Sequence, residues 1–226
     1  IFALRIAAQN ENELRLECTL SAQNPGLNPQ LLAASPEYKQ MLDLLPEDIR
    51  RAHRYGDWDA LAGTFFPEFR PETHVIEPFV RIPAEWKKYR AFDYGLDMFA
   101  CLWIAQDFDG RSYVYREVQQ SGLIVSEAAK LMLSLTPDYE HIEFTIAPPD
   151  MWNRQKDSGR SMAELYAENG VGLLRASNNR VQGWMALKEM LKPLRSDNDR
   201  PGLLVTRDCT GLIRNLPVIQ HDTKNA

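Results

Sequence analysis

The sequence is poor in the residues that staple or metallate small folds. Its three cysteines, Cys18, Cys101 and Cys209, lie far apart in 226 residues. They form no CxxC pair, which argues against zinc, and an odd count argues against a disulfide framework. Cys101 sits inside an apolar stretch, where a small thiol serves as core. A reducing, cytoplasmic setting fits this usage. The four histidines, His53, His74, His141 and His221, show no HxxxH or HxH spacing, so no histidine metal site is encoded. No apolar run approaches the roughly 20 residues of a membrane span. Neither a GxxxxGK[ST] phosphate loop nor a G-x-S-x-G elbow occurs, which removes a P-loop ATPase site and weakens the case for an α/β-hydrolase. Internal repeats and low-complexity tracts are missing too. The first eight residues carry no methionine start and no cationic segment ahead of a long apolar one, so they do not read as a signal peptide. They look like the interior of a longer protein.

What is present is ordinary material for a soluble globular protein: 44% hydrophobic and 25% charged residues. The formal net charge of -5 does not favour nucleic-acid binding on bulk charge. It does not exclude it either, because metal ions neutralise an acidic centre and local basic patches still hold phosphates.

Along the chain, 14–20 alternates as a strand before the breaker Asn24-Pro25-Gly26. Residues 27–60 have helical spacing, with Tyr38, Met41, Leu42 and Leu45 on one face. Residues 63–90 are rich in proline and aromatics and read as an extended connector with few regular elements. The main domain begins near Tyr89. Strands are expected at 89–94, 98–107 and 111–119, with Asp107-Phe108-Asp109-Gly110 as a hairpin turn. Then follow helix 125–136, strand 141–147, helix 161–168, strand 171–176, helix 180–192, strand 202–206 and helix 209–215. Three hairpin strands followed by αβ units predict an α/β fold, a mixed sheet flanked by helices.

Two acids stand directly after strand-like runs. Asp93 closes one before the Gly95 turn, and Asp150 closes Ile146-Ala147-Pro148-Pro149. The prolines stop the ladder and fix the backbone where the acid projects. If the two strands are neighbours, the carboxylates converge, and a hard Mg²⁺ or Mn²⁺ takes such oxygen ligands. The alternative is two turn acids that bind backbone N–H groups. Strict alternation puts Tyr113, Tyr115 and Glu117 on one face, with Glu117 a further ligand, an outer-shell group or an ion-pair partner. Asp97 reads as a hairpin residue. Basic and amide residues gather at Asn178-Asn179-Arg180-Val181-Gln182-Gly183-Trp184 and Lys188. On a helix, Arg180, Trp184 and Lys188 share a face, able to hold phosphates or to pack as core with the lysine reaching water. Asn153 and Arg154 are a second candidate for DNA backbone contacts.

Together these segments resemble the large subunit of tailed-bacteriophage terminase, the DNA-packaging motor. The matching runs include Leu45-Pro46-Glu47-Asp48-Ile49-Arg50-Arg51, Tyr55-Gly56-Asp57-Trp58-Asp59, Gly63-Thr64-Phe65-Phe66-Pro67-Glu68-Phe69 and Ile82-Pro83-Ala84-Glu85-Trp86. They continue with Phe92-Asp93-Tyr94-Gly95, Tyr113-Val114-Tyr115-Arg116-Glu117, Ala147-Pro148-Pro149-Asp150-Met151-Trp152-Asn153, the Asn178 run and Leu212-Ile213-Arg214-Asn215-Leu216-Pro217.

The resemblance implies an RNase H-like nuclease domain at 89–226, a helical and extended linker at 27–88, and at 1–26 the end of an ATPase domain whose remainder lies upstream. It implies a metal-dependent endonuclease that cuts concatemeric viral double-stranded DNA with two Mg²⁺ or Mn²⁺ ions. Asp93 and Asp150 fall on the family's first two metal-binding acids. The third is expected beyond residue 226, so Asp222 is not assigned to it. Implied partners are the portal protein, the terminase small subunit and further copies in a ring, in the host bacterial cytoplasm and away from membranes. Two rivals stay open: a resolvase- or integrase-type nuclease of the same fold, and a non-catalytic module that docks on the portal.

Overall fold

Residues 87–120, with the nearly unbroken apolar run Met98 to Ala105 at their middle, build the centre of the fold. In the computed structural model, residues 64–95, 97–156, 158–193 and 200–219 are described, with the main chain only at Arg180. Expectations for 1–63 and 220–226 lie outside these residues. The elements are α1 (Pro71–His74), β1 (Val75–Ile76), β2 (Lys87–Tyr94), β3 (Phe99–Gln106), β4 (Ser112–Gln120), α2 (Val125–Ser134), β5 (Phe144–Ala147), α3 (Met162–Glu168), β6 (Leu173–Arg175), α4 (Arg180–Met190), β7 (Leu203–Thr206) and α5 (Thr210–Asn215). Short 3₁₀ turns occupy Pro149–Trp152 and Leu216–Val218. Residues 68–213 form one compact unit, and 64–67 with 214–219 fall in a second. In the second, the Phe65 N–H donates to the Ile219 carbonyl at 2.6 Å.

The strands form one seven-stranded sheet in the order β1-β7-β4-β3-β2-β5-β6. β3 is antiparallel to β2 and β4, and the other pairings are parallel. Among the described strands, β3 alone therefore runs against the rest. This is the expected mixed α/β sheet. The hairpin turn is also as expected: Gly110 takes φ 84°, and the Asp107 carboxylate accepts the N–H groups of Asp109 and Arg111. Helix α2 stops short of 136 because Thr136 turns its hydroxyl onto the Met132 carbonyl at 2.7 Å, and Pro137 follows. The stretch expected to be a connector supplies α1 and the edge strand β1, which pairs with β7.

One face of the sheet carries Phe92, Phe99, Cys101, Trp103, Ala105 and Ala147. Ala128, Ala129 and Met132 of α2 and Ala163 and Tyr166 of α3 pack onto it in a single buried cluster. Helix α3 starts cleanly because Ser161 and Glu164 exchange hydrogen bonds as a capping box.

The register of β4 departs from strict alternation. Trp103 pairs with Arg116 and Ile104 with Val114, which leaves Tyr115 as an extra residue, a bulge. The bulge moves Glu117 to the opposite face from Tyr113, contrary to the pattern expected from the sequence. Glu140 holds this irregularity. It is 6% exposed, accepts both terminal nitrogens of Arg116 at 2.9 Å, and accepts the Tyr115 hydroxyl at 2.9 Å. Burial works against the Arg116 charge, but the hydrogen bonds and charge of Glu140 outweigh it and hold the guanidinium above its ordinary pKa.

Glu140→Ala leaves a buried hydroxyl and a half-buried guanidinium without their acceptor. The expected loss is about 2–4 kcal/mol, read as a lower urea midpoint at unchanged m-value.

Candidate active site

Because β2, β4, β5, β6 and β7 run the same way, their C-terminal ends share one rim of the sheet. Ligands of open α/β sheets bind at such rims. Asp93 is the penultimate residue of β2, pairs with Ala100 and is 8% exposed. Asp150 is exposed in the 3₁₀ turn directly after β5. β2 and β5 are neighbours, with Ala91 level with Ile146. Asp93 lies two residues beyond one of this pair and Asp150 four beyond the other. The two acids singled out in the sequence therefore end adjacent parallel strands. Pro148 and Pro149 keep β5 from continuing, and Met151, 3% exposed, anchors the turn in the core.

Glu117 pairs with Leu102, and Leu102 with Ala91. Paired residues share a face, so Glu117 emerges on the same side as Asp93, two strand spacings or about 10 Å across. Its carboxylate accepts the Gly211 N–H at 3.0 Å, the Leu212 N–H at 3.2 Å and the Gln119 amide at 2.6 Å. Glu117 thus caps the start of α5. Gly211 is needed for this approach: a Cβ there would lie 2.4 Å from both the Glu117 and the Gln119 side chains.

Asp208 also reaches the rim, in the turn after β7, where its carboxylate bonds the Thr206 hydroxyl. Sequence patterning did not single it out, although an acid just past an apolar strand is the signal that marked Asp150. Asp97 is exposed in the β2–β3 turn, as a hairpin residue.

The basic candidates are spread differently. Arg180 opens α4, whose N-cap Asn179 accepts the Gln182 N–H at 3.1 Å. Trp184 and Lys188 are half-buried, and Lys188 pairs with Glu68 at 3.5 Å. Asn153 is exposed. Arg154 donates to the Gly159 carbonyl at 3.1 Å and lies 4.0 Å from Glu164.

Two matches among solved structures bear on this arrangement. The nuclease domain of the P22 large terminase aligns with 66% of this chain and 74% of its own, at 22% identity and a TM-score of 0.52. The large terminase of a thermophilic bacteriophage aligns with 72% of this chain at 20% identity and a TM-score of 0.58. The chain has the terminase-nuclease fold. This is the RNase H-like α/β architecture expected from the sequence. The alignment spans 39% of the thermophilic phage's terminase chain. No family model matches the chain, and no curated protein does. No described helix is long and apolar enough to cross a membrane.

The donor chemistry of the rim suits a hard divalent cation, since Asp93 and Asp150 offer carboxylate oxygens from fixed strand ends. Among the described residues no group of three or more His, Cys, Asp or Glu gathers into a metal cluster.

Two outcomes follow from this geometry. Glu117→Ala removes the acceptor of the first α5 N–H groups, with an expected cost of about 1 kcal/mol, typical of a lost helix cap, measurable by thermal melting. The second concerns Glu164. Its hydrogen bond from the Ser161 backbone, helped by the Ser161 hydroxyl and by Arg154 and Arg160, outweighs desolvation and depresses its pKa. A depressed carboxylate stabilises the fold above its unfolded pKa and loses that contribution as pH falls through the folded value. Carboxyl NMR should show Glu164 titrating below an ordinary glutamate. Glu164→Gln should remove that part of the acid sensitivity of α3.

Proposed function

We propose that this chain is a metal-dependent DNA endonuclease domain of the terminase type, working on double-stranded viral DNA during genome packaging. The observation that carries the reading is the pair Asp93 and Asp150 at the ends of adjacent parallel strands, on a fold shared with the P22 terminase nuclease domain. Both acids also stand out in the sequence alone.

The chain's part in the reaction is mainly positional. Asp93 and Asp150 are the residues that would hold Mg²⁺ or Mn²⁺. Bound ions of this class supply an activated water and offset the charge on the leaving oxygen. Asp93 has little freedom, because it is paired with Ala100 of β3 and buried. Asp150 is fixed by two prolines and the buried Met151. Glu117, with its oxygens committed to α5 and Gln119, supports the rim from the same face and is not assigned as a ligand. Arg180, Asn153 and Arg154 are assigned to the DNA backbone. Lys188 acts first through Glu68.

The same reading makes residues 1–26 the end of an ATPase domain, 27–88 a linker and 89–226 the nuclease domain. It makes the portal protein, the terminase small subunit and further copies in a ring the partners of the whole motor. ATP hydrolysis would belong to the upstream domain.

The test is cleavage of supercoiled plasmid with Mn²⁺. Asp93→Asn and Asp150→Asn should each slow nicking by roughly 100-fold or more, with melting temperatures at or above that of the parent. Full cleavage by either variant would sink the assignment. A strong preference for four-way junctions over linear duplex would move the protein to the resolvase class.

A further inference from the structure

We infer that Arg175 is a DNA-phosphate contact of this site, held ready by Trp152. The inference rests on the nuclease reading and adds a positioning residue to it. Arg175 ends β6 and pairs with Ala147, one step beyond the Ile146–Leu174 pair. Since Ile146 is level with Ala91, Arg175 is level with Phe92, one residue before Asp93 and two strand spacings, about 10 Å, away. It leaves the sheet on the face opposite to Asp93. It therefore reaches a phosphate flanking the scissile one and not the scissile one itself.

Three observations single it out. First, the guanidinium carbon lies 5.0 Å from the centre of the Trp152 ring. Trp152 belongs to the same 3₁₀ turn as Asp150 and is packed against the core. One rigid turn thus carries both a candidate metal acid and the platform for the arginine. Second, a contact with a ring face uses none of the guanidinium N–H groups as hydrogen-bond donors to a carboxylate, and that N–H fork matches two phosphate oxygens. Third, Arg175 differs from Arg160, which pairs with Glu168. Arg175 is exposed and forms no ion pair among the described residues. An exposed cation near the rim, resting on a ring and without an ion pair among the described residues, is suited to an anionic ligand.

The experiment measures binding of the full 226-residue chain to a linear duplex by fluorescence anisotropy, in chelator so that nothing is cut, across a salt series. Arg175→Gln should lower the slope of log affinity against log salt by about 0.9, the value for one lost phosphate contact. Its melting temperature should be unchanged. Arg175→Lys should keep the slope, because the charge remains. With Mn²⁺, Arg175→Gln should raise KM for cleavage and leave kcat unchanged, the mark of lost uniform binding. An unchanged salt slope in Arg175→Gln overturns the inference while leaving the nuclease reading intact. A parent chain that neither binds nor cuts DNA overturns the nuclease reading, and this inference falls with it.

Discussion

The clamp of Glu140 on Tyr115 and Arg116 is the constraint from which the site's geometry follows. A strand with an extra residue is held in place only if something rewards the irregular backbone, and here one buried carboxylate takes up three donors from the two residues at the bulge. The register beyond the bulge then puts Glu117 on Asp93's side of the sheet. Under unbroken alternation Glu117 would have faced Phe92 and Cys101 in the apolar cluster, where an ionised carboxylate without partners is very costly. The same shift lets Glu117 cap α5, so one buried ion pair sets the position of a helix on the far face of the sheet.

The rim assembles acids from separate segments because parallel strands deliver all their C-terminal ends to one side. Asp93, Glu117, Asp150 and Asp208 lie along this rim, and each is held in a different way. Glu117 is bound to backbone N–H groups at a helix start, where the helix dipole favours negative charge. Asp208 bonds a neighbouring hydroxyl. Asp150 is exposed in the turn after β5.

Much of this was legible in the sequence, for identifiable reasons. Strand periodicity and the Asp-Gly turn are local signals, so the order of elements emerged with shifts of a few residues at their ends. Asp93 and Asp150 could be marked because each follows an apolar run and meets a glycine turn or a proline pair. The bulge was not legible: Tyr115 fits the alternating pattern as well as any residue, and the group that fixes it, Glu140, lies 25 residues away. The ion pair of Lys188 with Glu68 is likewise non-local, and Trp184 and Lys188, two residues of the helix face that suggested DNA contact, are half-buried. Pairing of Asp93 with Asp150 needed the sheet order, which no local pattern encodes.

The ends of the sheet have a consequence of another kind. β1 has two residues and β6 three, so both borders of a seven-stranded sheet expose only short rows of unpaired N–H and carbonyl groups. Long, flat borders recruit strands from other molecules, and brevity is one way natural sheets avoid this. The strands with the most apolar composition, β3 and β7, are interior. The described part of the sheet therefore offers little template for edge-to-edge aggregation at high concentration.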